Sequence, residues 1–207
     1  MASISCLSEH QSPVVLDSSV VVNLNATGIA QKLLNLMPMD IQVPSPVLKE
    51  LKHGGTQGHK DAELLIELAK LKLVQIVELP ESAKSTYLRL MSGSSRDSLG
   101  DGEASTIALA RAMQVSAVID EKKARRIGRE QFPDILIAST VDLLAVPEIV
   151  DSLSETELSE MLFKALTAAR MQVHEPYVEW VVGYLDDEML KQCRSLPSRY
   201  RVPSTTG

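Results

Sequence analysis

Short runs of β-branched and other apolar residues alternate with helix-patterned segments from about residue 13 to residue 145. Runs that are continuously apolar, with no polar residue at every second position, are typical of strands buried on both faces of a parallel sheet. The predicted strands are Val14–Leu16, Ile41–Val43, Val74–Leu79, Val115–Ile119 and Ile135–Ile137. Because strands that alternate with helices form a mostly parallel sheet flanked by helices on both faces, the sequence predicts an α/β fold.

The segments between these runs have helical periodicity. The predicted helices are Ile29–Met37, Pro46–His53, His59–Leu71, Ser82–Met91, Gly102–Met113 and Glu121–Glu130. In open sheets of this kind, ligands bind beyond the carboxyl ends of the strands. We therefore expect the functional side chains at that edge of the sheet.

After Pro147 the pattern changes to two helical segments without a strand between them. Each segment carries an apolar stripe at helical spacing, and residues 151–190 hold nine acids against two bases, Lys164 and Arg170. We expect the stripes to pack on the core and the acids to face solvent; a partner or dimer surface is the alternative. The chain thus divides into a core (13–146), an acidic helical extension (147–195) and a disordered tail (196–207).

Composition and charge limit the functions that the chain can have. A mean hydropathy of +0.02 without a long uncharged apolar run predicts no membrane span. The isoelectric point near 5.3 argues against a DNA-binding module that works by charge alone, and 3% aromatic residues leave little for base stacking. Cys6 and Cys193 lie near opposite ends, and the first twelve residues have no export pattern, so we expect a cytoplasmic protein.

Four acids fall where the predicted fold brings the carboxyl ends of the strands together. Asp17 and Asp120 close two predicted strands, Glu50 lies one turn into a helix that begins near Pro46, and Glu103 lies in the first turn of another helix. Like charges brought together repel unless a cation lies between them. An all-oxygen site suits Mg²⁺ or Mn²⁺, whereas the four histidines and two cysteines lack the spacing of a zinc site.

Each of these acids also has a structural explanation when it is taken alone. An aspartate after a strand often caps the next helix, and the helix dipole favours an acid in the first turn. Glu50 alone would be a surface glutamate. Asp101, beside Glu103, fits a helix cap better than a metal ligand. Only the common placement of the acids at one edge of the predicted sheet favours a shared site.

The segments VVLDSSVVVNL, VPSPVLKEL, LGDGEASTIALA and AVIDEKKARRIG, in this order, resemble the PIN-domain nuclease family. The third segment resembles the VapC-like toxin branch, whose third motif reads G-E-A. The resemblance extends to about residue 185, because LTAARMQVHEPYVEWVVGYL is similar to the C-terminal helices of that branch. Two features depart from the branch: the acidic run after Pro147, and Arg170 at a position where glycine is usual.

The resemblance implies a PIN-like three-layer fold with two C-terminal helices and a catalytic metal site made of Asp17, Glu50, Glu103 and Asp120. Ser19 would contact metal-bound water or phosphate, and Asp101 is a further candidate for that role. The implied activity is hydrolysis of RNA phosphodiester bonds with Mg²⁺ or Mn²⁺. The implied partners are a cognate antitoxin and a second copy of the chain.

A basic run directly follows Asp120, and it offers candidate contacts to the RNA backbone. Its members are Lys122, Lys123, Arg125, Arg126 and Arg129. Lys122, Arg126 and Arg129 share one helical face, so they predict a basic stripe beside the site; a solvated amphipathic helix is the alternative.

Two other functions are alternatives to a nuclease. Sites with an aspartyl nucleophile have a second acid two places from the nucleophile or an acid pair before it, whereas Asp17 is preceded by Leu16 and followed by Ser18 and Ser19. A non-catalytic binding module, in which the acids only cap helices, is the second alternative. Binding of a divalent ion distinguishes that module from a nuclease.

Overall fold

Five parallel strands form the centre of the molecule. The computed structural model describes residues 5–7, 13–54, 60–93 and 96–201. The strands are β1 (Val14–Leu16), β2 (Ile41–Pro44), β3 (Gln75–Val77), β4 (Ser116–Val118) and β5 (Ile137–Ala138). They form one sheet in the order β3-β2-β1-β4-β5, and every neighbouring pair is parallel. The predicted α/β fold with a parallel sheet flanked by helices is confirmed.

Helices connect the strands and continue after the last one. They are α1 (Ser18–Ala26), α2 (Ala30–Leu36), α3 (Ser45–Gly54), α4 (Asp61–Lys70), α5 (Glu81–Met91), α6 (Asp101–Met113), α7 (Lys122–Gln131), α8 (Thr140–Leu144), α9 (Pro147–Val150), α10 (Glu155–Ala168), α11 (Glu175–Val182) and α12 (Asp187–Gln192). His59, the first residue of one predicted helix, lies outside the described residues. Within the described ranges, no helix is both long and apolar enough to cross a membrane.

The sequence did not predict α1 and α8. Each begins within two residues of the end of a strand, and an acceptor side chain caps it: Asp17 accepts from the backbone N–H of Ser19, and Ser139 accepts from that of Asp142. A side-chain acceptor at this position satisfies a backbone donor that has no partner inside the helix. The caps thus turn the chain into a helix directly after β1 and β5.

The C-terminal part contains more short helices than the two predicted segments. The second apolar stripe is divided between α11 and α12, because the chain leaves the helix at Gly183 and Asp186 then caps α12. Within the predicted tail, Leu196 is buried and Ser198–Tyr200 form a 3₁₀ turn. Residues 202–207 lie outside the described residues.

The order of the strands reverses at β1. The chain runs outward from β1 to β2 and β3, and then returns to place β4 and β5 on the other side of β1. A crevice opens beyond the carboxyl ends of the strands at such a reversal. Leu16 pairs with Val118, and the backbone N–H of Asp17 donates to the Val118 carbonyl over 3.1 Å. The residues that follow β1 and β4 are thereby fixed side by side.

Two hydrophobic clusters cover the two faces of the sheet. Val14 and Leu16 belong to the larger cluster and Val15 to the smaller one, as the alternation of side chains along a strand requires. The larger cluster also contains Leu158, Leu162 and other apolar residues of the C-terminal helices. The extension therefore contributes to the same core as the sheet.

Among the residues that the structure describes, three other than glycine have a left-handed backbone. They are Lys72 (φ 61°), Gln114 (φ 56°) and Arg170 (φ 57°), and each follows the end of a helix. Glycine is the usual residue at this position, because a side chain there raises the energy of the backbone by about 1 kcal/mol. The positive φ of Arg170 agrees with the expectation that glycine is usual there.

Asp142 in α8 joins three distant parts of the chain. It is 1% exposed, and its carboxylate accepts from the Cys6 N–H at 3.1 Å, from the Ser139 N–H at 2.8 Å and from the Tyr177 hydroxyl. Burial alone would raise the pKa of Asp142, but these hydrogen bonds outweigh it and hold the pKa below its usual value. Asp142 thus links the N-terminal residues and α11 to the end of β5.

We expect Asp142→Ala to lower the free energy of unfolding by about 3 kcal/mol, because it leaves the buried donors of Ser139 and Tyr177 and the partly buried N–H of Cys6 without their acceptor. Urea denaturation at pH 7 measures the change. Asp151→Ala, at an exposed acid of the extension, is the control and should be close to neutral. Equal stability of the two variants would contradict a structural role for Asp142.

Candidate active site

A cavity of about 510 Å³ lies at the carboxyl edge of the sheet, and it brings the four predicted acids together. Asp17 reaches it from the end of β1, Glu50 from α3, Glu103 from α6 and Asp120 from the end of β4. Ser19 also lines the cavity. Four elements that are distant in sequence therefore direct carboxylates into one space.

Asp17 is 2% exposed and is held by the first turn of α1. Its Oδ2 accepts from the Ser19 hydroxyl at 2.8 Å and from the Ser19 N–H at 3.3 Å, and its Oδ1 accepts from the Ser18 hydroxyl at 3.4 Å. Burial raises the pKa of Asp17, and the hydrogen bonds from Ser19 and Ser18 lower it only in part. The charged form of Asp17 is therefore a cost to the fold.

Asp120 is equally buried, and residues that the sequence did not single out hold it. Its carboxylate accepts from Asn23 Nδ2 at 2.7 Å, from the Thr140 N–H at 2.8 Å and from the Thr140 hydroxyl. Burial raises the pKa of Asp120 to about 6, although the Thr140 hydrogen bonds and the charge of Arg125 oppose the shift. Asn23 and Thr140 fix the direction in which this carboxylate points.

Glu50 and Asp17 approach each other across Gly102. A Cβ atom at Gly102 would lie 2.3 Å from Glu50 Oε2 and 3.0 Å from Asp17 Oδ1. Partial burial raises the pKa of Glu50, and the negative charge of Asp17 raises it further. The absence of a side chain at Gly102 therefore leaves room for two mutually repelling carboxylates.

Glu103 closes the first turn of α6, because its Oε2 accepts from the Gly100 N–H at 3.0 Å. Burial raises the pKa of Glu103 despite this bond, and the charges of Asp17, Glu121 and Glu50 add to the rise. Gly100, and not Asp101, is the N-cap residue of α6. Asp101 is exposed and accepts a hydrogen bond from the Tyr87 hydroxyl.

The donor set and the spacing fit a hydrated divalent ion better than an ion enclosed by protein ligands. In the part of the chain that the structure describes, no group of three or more His, Cys, Asp or Glu side chains is arranged as a metal site. Mg²⁺ keeps several waters and commonly takes only one or two carboxylates from a protein. Asp17 Oδ1 and Glu50 Oε2 both lie beside Gly102, so these two carboxylates are the candidate pair for such an ion.

The basic residues of α7 line a neighbouring cavity, of about 380 Å³, together with His174. These residues are Lys122, Arg125, Arg126 and Arg129. Burial and the charges of Arg125, Arg129 and Lys122 lower the pKa of His174 to about 4, which indicates a positive potential there. Glu121 lines the acidic cavity and Lys122 the basic one, so both cavities reach the start of α7.

Arg125 differs from the rest of the predicted basic run. It is 6% exposed, and its guanidinium donates to the carbonyls of Ile119 and Ala138, at 2.8 Å for Ile119. These bonds satisfy backbone acceptors at the ends of β4 and β5, so the guanidinium is engaged within the fold. Arg126 is exposed and forms ion pairs with Glu130 and Asp97.

Residues outside the predicted set complete the acidic cavity. Glu121, Asp61 and Arg170 are its other charged lining residues. Glu121 accepts from the Ala124 N–H at 2.7 Å as the cap of α7. Arg170 comes from the turn after α10, so the C-terminal extension takes part in forming the cavity.

Comparison with known proteins gives the family. A family model described as a PIN domain (DUF3368) matches residues 13–146. The chain belongs to the PIN-domain family. PIN domains are generally nucleases, and these nucleases generally use divalent metals. No curated protein matches the sequence significantly.

The comparison with solved structures also found a similarity. The similar chain is one in the crystal structure of VapBC2 from Rickettsia felis bound to a DNA fragment from their promoter, with 17% sequence identity and a TM-score of 0.43. The similarity covers 61% of this chain and 98% of that chain.

We expect Asp17→Asn to raise the free energy of unfolding at pH 7 in EDTA, because it removes a buried charge whose pKa is raised in the folded state. The pKa of Asp17 is higher in the folded protein than in the unfolded chain. The wild type therefore gains stability as the pH falls from the folded pKa to the unfolded pKa. The difference between the two proteins should therefore shrink towards pH 4. Urea denaturation from pH 4 to pH 7 measures it. A variant less stable than wild type at pH 7 would contradict this account.

Proposed function

We propose that the protein is a divalent-metal-dependent ribonuclease that hydrolyses RNA phosphodiester bonds, and that it is the toxin of a toxin-antitoxin pair. The observation that carries the nuclease proposal is the cavity where Asp17, Glu50, Glu103 and Asp120 converge, with Asp17 and Asp120 each 2% exposed. Buried carboxylates with raised pKa values are typical of functional sites. Membership of the PIN-domain family supports the same activity.

In this proposal Asp17, Glu50, Glu103 and Asp120 hold Mg²⁺ or Mn²⁺. When bound, such an ion polarises a phosphoryl oxygen and lowers the pKa of a bound water. The chain's own contribution is to orient the acceptors: Ser19 fixes the Asp17 carboxylate, while Asn23 and Thr140 fix that of Asp120. Because the acids are fixed before the substrate binds, little reorganisation is needed during the reaction.

The basic cavity at the start of α7 is the proposed contact for the RNA backbone. Lys122 and Arg129 are exposed there, and Lys123 lies one position further along α7. Contacts of this kind position the phosphates without reading the base sequence. Arg126 would have to exchange its ion pairs with Glu130 and Asp97 for a phosphate. Ser19 and Asp101 remain proposed contacts for metal-bound water or phosphate.

The partners follow from the resemblance to VapC-like toxins. A cognate antitoxin would insert a segment near the acidic cavity and block access to it. A homodimer is also proposed, and the exposed apolar residues Leu64 and Leu71 at α4 and Leu88 in α5 are available to such contacts.

We expect the purified protein to cleave cellular RNA with Mg²⁺ or Mn²⁺ and not with EDTA. Asp17→Asn and Glu50→Gln should each lower the rate by about 100-fold or more, because a metal ion stabilises charge in the transition state by several kcal/mol. Glu81→Gln, at an exposed acid of α5, should retain the wild-type rate. Gel analysis of timed digests measures these rates.

The same experiment distinguishes the nuclease from a non-catalytic binding module. A folded wild-type protein that cleaves neither RNA nor DNA and binds no Mn²⁺ in calorimetry would favour the module. Cleavage of DNA but not of RNA would support a nuclease and would contradict the proposed ribonuclease activity. Equal rates for Glu50→Gln and Glu81→Gln would overturn the assignment of the site.

We expect Gly102→Ala to weaken Mn²⁺ binding by about tenfold, because the new methyl group would lie 2.3 Å from Glu50 Oε2 and must push that carboxylate away. Stability should change little, since the displaced atom is the end of an exposed side chain. Calorimetric titration and thermal melting measure the two effects. Gly183→Ala, outside the cavity and where a Cβ would meet no atom closer than 3.4 Å, is the control. Wild-type Mn²⁺ affinity in Gly102→Ala would show that the space beside Gly102 is not part of the ion site.

A further inference from the structure

The acidic cavity contains a single cationic side chain among its described lining residues. Asp17, Glu50, Asp61, Glu103, Asp120 and Glu121 are the acids that line it, and Arg170 is its only lysine or arginine. A nucleic-acid phosphate is negatively charged, so it is repelled by a wall of this composition. A divalent ion offsets part of the repulsion, and a guanidinium on the cavity wall offsets more of it.

The backbone at Arg170 does not favour an arginine. Its φ of 57° is the left-handed conformation that glycine adopts freely, and Arg170 follows the C-cap residue of α10, where glycine is the common choice. Strained backbone positions cluster at functional sites, because the surrounding structure can compensate for them. The side chain of Arg170 therefore calls for an explanation other than local structure.

The guanidinium of Arg170 is available to a ligand. The residue is exposed, and its side chain forms no hydrogen bond or ion pair with any residue in the described ranges. Arg125 and Arg126, by contrast, are engaged with backbone carbonyls and with acids. A planar guanidinium donates two parallel hydrogen bonds to a phosphate, which a lysine ammonium does not.

We propose that Arg170 binds a phosphate of the nucleic-acid strand at the acidic cavity, so that the C-terminal extension supplies part of the substrate site. This inference rests on the proposed nuclease function. Arg170 would position the strand over the carboxylates, and it takes no part in the bond-breaking step. The turn after α10, which lines the cavity, would then be the part of the acidic extension that binds the substrate.

Lys72 provides a matched control for Arg170. It is also a basic residue with a left-handed backbone, at φ 61°, and it also follows the C-cap residue of a helix, α4. It lines a different cavity, which contains none of the four acids. Lys72→Gly and Arg170→Gly therefore remove the same charge and relieve the same strain, and they differ in their distance from the acidic cavity. Arg170→Gln removes the charge and keeps the strain.

The experiment measures Mg²⁺-dependent cleavage of a fluorescent single-stranded RNA at several salt concentrations, with thermal melting of each variant. Arg170→Gly and Arg170→Gln should raise KM about tenfold, keep kcat within about threefold, and reduce the slope of log KM against log salt by about 0.7. Lys72→Gly should retain the wild-type KM and slope. Both glycine variants should melt at or above the wild-type temperature, because they relieve the left-handed backbone.

A second measurement uses binding and not activity. Fluorescence anisotropy measures the affinity of the protein for the same RNA in EDTA at low salt. Both Arg170 variants should bind the RNA about tenfold more weakly than wild type, and Lys72→Gly should bind it as wild type does. If wild type cleaves RNA and Arg170→Gly matches it in KM and in binding, the inference about Arg170 is wrong while the nuclease remains. If Lys72→Gly raises KM as much, the effect is one of net charge, and the inference is again wrong. A folded wild type without nuclease activity would overturn the proposed function and this inference together.

Discussion

Two aspartates buried at the same edge of the sheet are the feature on which the rest of the site depends. Removing an ionised carboxylate from water costs several kcal/mol unless donors replace the lost hydration. Ser19 supplies donors to Asp17, and Asn23 and Thr140 supply them to Asp120. These donors come from α1 and α8, the helices that begin directly after β1 and β5. The two short helices thus both shape the fold and make the buried acids tolerable.

The order of the strands determines which acids can meet. Since β1 lies between β2 and β4, the residues after β1 and β4 share a crevice, and α3 enters it from the end of β2. Glu50 is carried on α3, and Gly102 at the start of α6 leaves space where the Glu50 and Asp17 carboxylates approach. A site of four repelling groups is therefore held by the backbone of the sheet and by the hydrogen bonds of neighbouring helices.

The sequence predicted the strands and the convergence of the four acids, because buried parallel strands are short apolar runs and their carboxyl ends meet. It did not predict α1, since Val20, Val21 and Val22 have a local preference for a strand. The helix forms there because Asp17 caps its first turn and its apolar residues pack into the core. The donors to Asp120 come from residues 97 and 20 positions away, so no local pattern contains them. Arg125 looked like part of a basic surface, because periodicity does not show that a guanidinium reaches backbone carbonyls.

The network around Asp142 has a consequence for where the folding unit begins and ends. The family match covers residues 13–146. Before it, Leu7 is fully buried and the Cys6 N–H donates a hydrogen bond to Asp142. After it, Leu196 belongs to the larger core cluster. A fragment cut at the limits of the family match would lose both ends of this closure and open the core to water. The segment that the family model matches is thus shorter than the unit that must fold to close the core, and the residues on both sides of it serve as its seal.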